Sequence, residues 1–188
     1  MHNNQSAAFS LDNRRALVRP ARLAHVNAIW ELVSRYNAQG LMLPRTHDQI
    51  AMNIDNYVVA AAGSRVLACA ALEEYSPSLA EVSSVAVAES EHGHGLGTDV
   101  VLGVERLARA RDIAEVFALS LSDRFFLSLD YQPVSISRYP EKLARYDMLM
   151  SQGVEIVPKP CFQKVLGTAW QLPSRVDDRP AIPARRAS

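Results

Sequence analysis

Apolar residues recur along this chain with two periods. Over Leu23 to Tyr36 they fall at Leu23, Val26, Ile29, Trp30 and Val33, the spacing of one helical face, and Gly40 offers a stop. Ahead of this, Ala16 to Pro20 alternates apolar with polar and reads as a first strand closed by its proline. Thr46 precedes HDQIAMNI and predicts the N-cap of a short second helix. Two strand-like runs, Tyr57 to Ala62 and Arg65 to Leu72, flank Gly63-Ser64 and predict a hairpin. A third run, Ala80 to Ala88, follows the loop around Pro77.

A helical pattern resumes at Leu96. Leu96, Val100, Val104 and Leu107 share one face, while Glu105, Arg106 and Arg109 share another. Val116 to Leu121 reads as a buried strand and Asp123 to Leu129 as a short helix with Asp123 near its cap. Beyond Tyr131 the pattern weakens, with helical spacing over Lys142 to Met150 and a last strand over Cys161 to Trp170. The order β-α-α-β-β-β-α-β-α-β predicts a mixed α/β domain, a hairpin meander in front and a βαβ crossover behind. Residues 1–15 are polar, and 171–188 hold three prolines and four arginines; both read as loose tails around a domain over 16–170.

Composition narrows the function classes. With 48% apolar residues in 188, a sizeable core can be buried. Twenty basic and twenty acidic residues leave a formal net charge of zero, without the basic excess of a nucleic-acid binder. No apolar run approaches the roughly twenty residues of a membrane span, and MHNNQSAAFSLDNRR lacks the apolar stretch of a signal peptide. Cys69 and Cys161, two isolated cysteines, cannot make a disulfide framework or a four-ligand zinc site, and Cys69, within VLACAAL, reads as a core thiol. These features predict a reduced, cytoplasmic protein.

The stretch EHGHGLGTDVV, Glu91 to Val101, lies at the strand-to-helix junction of the crossover. A helix N-terminus exposes unpaired N–H groups and partial positive charge, and glycines let the backbone close on an anion. Gly93, Gly95 and Gly97 sit in the connection, and Thr98 adds a hydroxyl in the first turn. No lysine follows the glycines, which sets aside a nucleotide triphosphatase loop, and the spacing differs from a dinucleotide fingerprint. His92 and His94 lack the further ligands a metal requires, so no metal is expected. An anion cradle and a plain flexible loop remain.

HGHGLG, His92 to Gly97, together with the element order, resembles the Gcn5-related N-acetyltransferase (GNAT) superfamily. Its signature is Gln/Arg-x-x-Gly-x-Gly/Ala between the fourth strand and the following helix. Gly95 and Gly97 match, and His92 replaces the usual Gln or Arg. The resemblance covers about Leu17 to Lys164 and implies a mostly antiparallel central sheet flanked by helices, with acetyl-CoA as co-substrate. It implies that the loop amides from His92 through Gly93, His94, Gly95, Leu96 and Gly97 to Thr98 hold the pyrophosphate. The preceding strand, with Val85, Ala86 and Val87, would lie along the pantetheine arm. LPR (Leu43 to Arg45), NYVVAA, VLACAALEEYS, VFALSLSDRFFLSLDYQPV, YPEKLARYD and KVL further resemble the acetyltransferase domain of N-acetylglutamate synthase.

That narrower resemblance implies transfer of an acetyl group to the α-amine of L-glutamate, the entry to arginine biosynthesis. Direct attack in a ternary complex would derive much of its rate from orientation. Glu81 is the implied general base and Ser120 the group near the departing thiolate. Arg45, Lys142 and Ser84 are the implied substrate contacts, the cations facing carboxylates. Tyr131 and Asp130 stand where the family has Phe and Gly, and Cys161 and Gln163 where longer synthases carry an arginine and a serine. Many such synthases carry an amino-acid-kinase-like domain in front; the chain resembles the short, stand-alone kind. A homodimer or a kinase-like partner both fit. Another small amine or amino acid as acceptor, glutamine among them, or a non-catalytic acetyl-CoA sensor, are the alternative functions.

Overall fold

The computed structural model describes residues 16–63 and 65–167. Both tails, Ser64 of the expected hairpin turn and the end of the expected last strand (168–170) lie outside these residues. Seven strands form one sheet: β1 (Leu17–Pro20), β2 (Tyr57–Ala62), β3 (Arg65–Ser76), β4 (Leu79–Val87), β5 (Glu115–Leu119), β6 (Gln132–Val134) and β7 (Cys161–Val165). Their spatial order is β1-β2-β3-β4-β5-β7-β6. Only β4 and β5 pair in parallel; every other neighbouring pair is antiparallel.

Helices cover both faces. Against one lie α1 (Val26–Ala38) and α2 (His47–Met52), whose Ile29, Val33 and Ile50 pack on Tyr57, Val59 and Cys69. Thr46 caps α2 as its sequence predicts: its hydroxyl accepts from the Gln49 N–H at 3.1 Å, while the Gln49 side chain accepts from the Thr46 N–H at 3.0 Å. Against the other face lie α3 (Leu96–Ala110) and α4 (Asp123–Leu127), over Val58, Val82 and Val116. Gly103 lets α3 approach closely, because a Cβ there would stand 2.6 Å from Val58 Cγ1. The last helix among the described residues, α5 (Pro140–Ser151), meets the first face through Lys142, which reaches Glu81, and Arg145, which reaches Glu73.

Several details depart from the sequence reading. β3 runs on to Ser76 because Glu73, Glu74 and Ser76 pair with β4 beyond the apolar run. β5 ends at Leu119 and the last strand at Val165, each short of its expected end. β6 forms where no pattern announced it. Glu105, read as part of a polar face, is 1% exposed. Its carboxylate accepts from Lys164 Nζ at 2.8 and 3.0 Å and from Arg109 at 3.3 Å, so two cations compensate its burial.

Candidate active site

β4 and β5 pair only through Leu79, Ala80 and Glu81, opposite Glu115, Val116 and Phe117. Beyond that point a bulge bends β4. Cys69 faces Ala86 and Ala71 faces Ser83, so Ala70 alone opposes Ser84 and Val85. Ser84 takes the left-handed φ of 51° that this bulge requires. A cleft results between the far ends of β4 and β5, with one cavity at each end. Tyr36, Val85, Ser120, Ser122 and Phe126 line both cavities and so mark their junction.

The outer cavity is built on the glycine loop. Val87, His92, Gly93, Gly95, Gly97 and Thr98 contribute to its wall. Gly93 and Gly95 both adopt φ of 80°, a conformation that would strain any residue with a side chain, and Gly95 is the N-cap of α3. Leu96 also lines it, but His94 turns outward to Glu91, 3.7 Å away. Ala86 is fully buried in the ladder opposite Cys69. Val87 faces away from β3, and both its backbone groups meet the Tyr36 hydroxyl: the N–H donates to it at 3.3 Å and the carbonyl accepts from it at 2.7 Å. His92 Nε2 lies 3.1 Å from both this hydroxyl and the Val87 carbonyl. His92 therefore ties the loop to the end of β4.

The inner cavity lies over the first face, between the loop at Leu41 to Arg45 and α5. Glu81 forms its floor at 5% exposure. Glu81 Oε2 accepts from Lys142 Nζ at 2.7 Å and from the Tyr75 hydroxyl at 3.0 Å. Burial pushes the Tyr75 hydroxyl well above its usual range and Glu81 adds to the rise, so Tyr75 stays a donor. Lys142 also lies 4.6 Å from the centroid of the Tyr146 ring. Glu73, the ladder partner of Glu81, meets Arg45 Nη2 at 2.9 Å and also pairs with Arg145. Ser120, at the junction, accepts from the Ser122 N–H through its hydroxyl at 3.0 Å.

Most residues singled out from the sequence thus converge: Arg45, Glu81, Ser84, Val85, Ser120 and Lys142 on the inner cavity, the glycine loop on the outer. Lys142, expected to meet substrate carboxylate, spends its charge on Glu81. Asp130, at φ 65°, adopts the conformation that a glycine would meet without strain, and Tyr131 packs in the core. Cys161 is buried and Gln163 accepts from Tyr139. The sequence reading did not single out Tyr36, Glu73, Arg145, Tyr146 or Lys159. For two of them a signal existed: in PEKLARYD, Arg145 and Tyr146 follow Lys142 at three-and-four spacing and so share its helical face.

Residues 26–126 match the acetyltransferase (GNAT) family, more than half of the chain. The protein belongs to this family. An uncharacterized N-acetyltransferase of Chlorobaculum tepidum is 34% identical over 128 residues, 68% of this chain and 83% of that protein. An amino-acid acetyltransferase of Pseudomonas fluorescens is 30% identical over 127 residues, 66% of this chain but 29% of that protein. The chain spans about a third of the length of the amino-acid acetyltransferases it matches. Among solved structures, a Mycobacterium tuberculosis protein in complex with CoA superimposes with a TM-score of 0.69 at 25% identity, over 79% of this chain and 98% of that one. The N-acetylglutamate synthase of Neisseria gonorrhoeae, complexed with coenzyme A and N-acetyl-glutamate, shares the fold at a TM-score of 0.71 and 22% identity, over 81% and 35% of the two chains.

Proposed function

We propose that the protein transfers the acetyl group of acetyl-CoA to the α-amine of an amino acid, L-glutamate being the acceptor its charges favour. The observation that carries this reading is the two-ended cleft: a glycine-lined helix N-terminus at one end, a cation-lined pocket over Glu81 at the other, and Ser120 and Val85 between them.

The amides from Gly93 to Thr98 suit a pyrophosphate, since the N-terminus of a 15-residue helix adds its dipole to their donors. The edge of β4 at Val85 and Val87 suits the amide groups of a pantetheine arm, once the Tyr36 hydroxyl releases Val87. When bound, acetyl-CoA supplies an activated thioester carbonyl. The chain's own part is orientation and proton movement. Arg45 holds the α-carboxylate and so aims the amine at the junction. Glu81 Oε1, which carries no hydrogen bond among the described residues, receives the ammonium proton directly or through one water. Lys142 and Tyr75 act on the other oxygen and fix the carboxylate's orientation. The Ser120 hydroxyl donates toward the departing sulfur. Burial raises the Cys161 thiol to about 11, which disfavours a thiolate nucleophile and supports direct transfer.

Thiol release from acetyl-CoA, followed with each of the twenty amino acids and with product mass, tests the proposal. Turnover on none of them overturns it, and acetyl-CoA binding without turnover would make the protein a sensor. M. tuberculosis and N. gonorrhoeae structures solved with CoA support the choice of co-substrate.

A further inference from the structure

The charges around the inner cavity do not cancel. Lys142 is matched by Glu81 at 2.7 Å. Arg45, which lines the cavity, shares one carboxylate, Glu73, with Arg145, and Glu73 and Arg145 lie in the adjoining pocket that Arg45 also lines. Lys159 also lines the cavity, and its Nζ donates to the Leu41 carbonyl at 2.5 Å, a neutral acceptor. No carboxylate among the described residues pairs with it. One positive charge is thus surplus at the Arg45–Glu73–Arg145 cluster, and a second stands alone at Lys159.

Lys159 is held, not waving in solvent. It stands between Pro158 and Pro160, on the segment that enters β7, and prolines on both sides restrict that backbone. Burial lowers its pKa from the ordinary 10.5; Glu81 opposes the shift and Lys142 adds to it. Lys159 is half-buried, and an ammonium partly withdrawn from water without a paired carboxylate is favoured by an anionic ligand. With one donor on Leu41, its other two N–H groups remain to be filled.

We infer that Lys159 is the specificity-determining residue of this site: it takes the side-chain carboxylate of a dicarboxylic amino acid, while the arginine cluster takes the α-carboxylate. The inference rests on the proposed acetyl transfer for its physiological meaning but not for its test. Two surplus cations match two carboxylates, whereas glutamine, with one, leaves Lys159 uncompensated. A site lacking its expected charge partner discriminates strongly between such near-isosteres.

Binding decides it. L-Glutamate and L-glutamine are titrated calorimetrically into the full chain saturated with CoA, as wild type and as Lys159→Met, which keeps an unbranched apolar stem. The wild type should prefer glutamate by on the order of 10- to 100-fold, the range of a charge-assisted hydrogen bond. In Lys159→Met that preference should collapse to within about threefold, with CoA affinity unchanged. A wild type that binds glutamine as well as glutamate overturns the inference. So does an equal loss for both ligands in the variant, which would make Lys159 a mere tether for Leu41. Turnover is read separately: discrimination that depends on Lys159, without acetyl transfer, keeps this inference and removes the proposed reaction.

Discussion

The Lys142 ammonium lies 2.7 Å from Glu81 Oε2, with side-chain exposures of 3% and 7%. The sequence suggested substrate binding for one and proton transfer for the other; the structure makes them a pair. Removing one partner strands a buried charge, which typically costs about 3–5 kcal/mol. Lys142→Met and Glu81→Gln should each fall in that range, and the double variant should lose less than their sum. A double-mutant cycle from urea unfolding measures this coupling; strictly additive losses would refute it. Glu81→Gln should also lower kcat while leaving the KM for acetyl-CoA in place.

Arg45→Ala should raise the KM for the amino acid on the order of 10- to 100-fold, the range of a charged hydrogen bond. The KM for acetyl-CoA should barely move, because Arg45 lines the inner cavity and not the outer. Arg145 still partners Glu73 in this variant, so the fold survives. An equal loss for both substrates in steady-state kinetics would argue against a carboxylate contact.

Tyr36→Phe removes the hydroxyl that occupies both backbone groups of Val87. If pantetheine takes those groups, the variant no longer has to break an internal bond first. CoA should then bind several-fold more tightly, while the unliganded protein loses about 1 kcal/mol of stability. Calorimetric titration and thermal unfolding read the two effects. Weaker CoA binding would instead make Tyr36 part of the cofactor's own contacts.

His25 is 4% exposed and accepts the Arg22 N–H on Nδ1 at 2.9 Å. Burial lowers its pKa from 6.5, and Arg19 and Arg22 lower it further. The unfolded chain therefore binds the extra proton first, and stability falls as pH drops through and below 6.5. Urea midpoints between about pH 7 and 5 should decline in the wild type and decline less in His25→Asn. Parallel declines would show that other groups carry the dependence.

Burial pushes the Cys69 thiol to about 12 and the Cys161 thiol to about 11. Neither should react with Ellman's reagent at pH 8 in the folded protein, and both should after denaturation. Reaction of one thiol before unfolding would show that its segment opens.

Much of the architecture was legible because its causes are local. The Thr46 cap, the helical faces of α1 and α3 and the glycine connection each follow from residues within a few positions of one another. Gly93 and Gly95 proved to need the left-handed conformation that glycine tolerates. Three-residue β6 was not legible, since it is made by its ladder with β7 rather than by an apolar pattern of its own. Glu105 was misplaced for a related reason: periodicity marks a helix's polar face but not whether Lys164, 59 positions away, will come to meet it.

The sequence by itself determined most of the elements, their order and the glycine connection into α3, because backbone dihedrals and hydrophobic period depend on near neighbours. The tertiary structure alone decided which charges are spent and which are left. Glu81 and Lys142 are 61 positions apart, and Lys159 reaches a carbonyl 118 positions away. Coulomb energy depends on distance and burial, and those are set only when the sheet brings α5 and the lead-in to β7 over the same face.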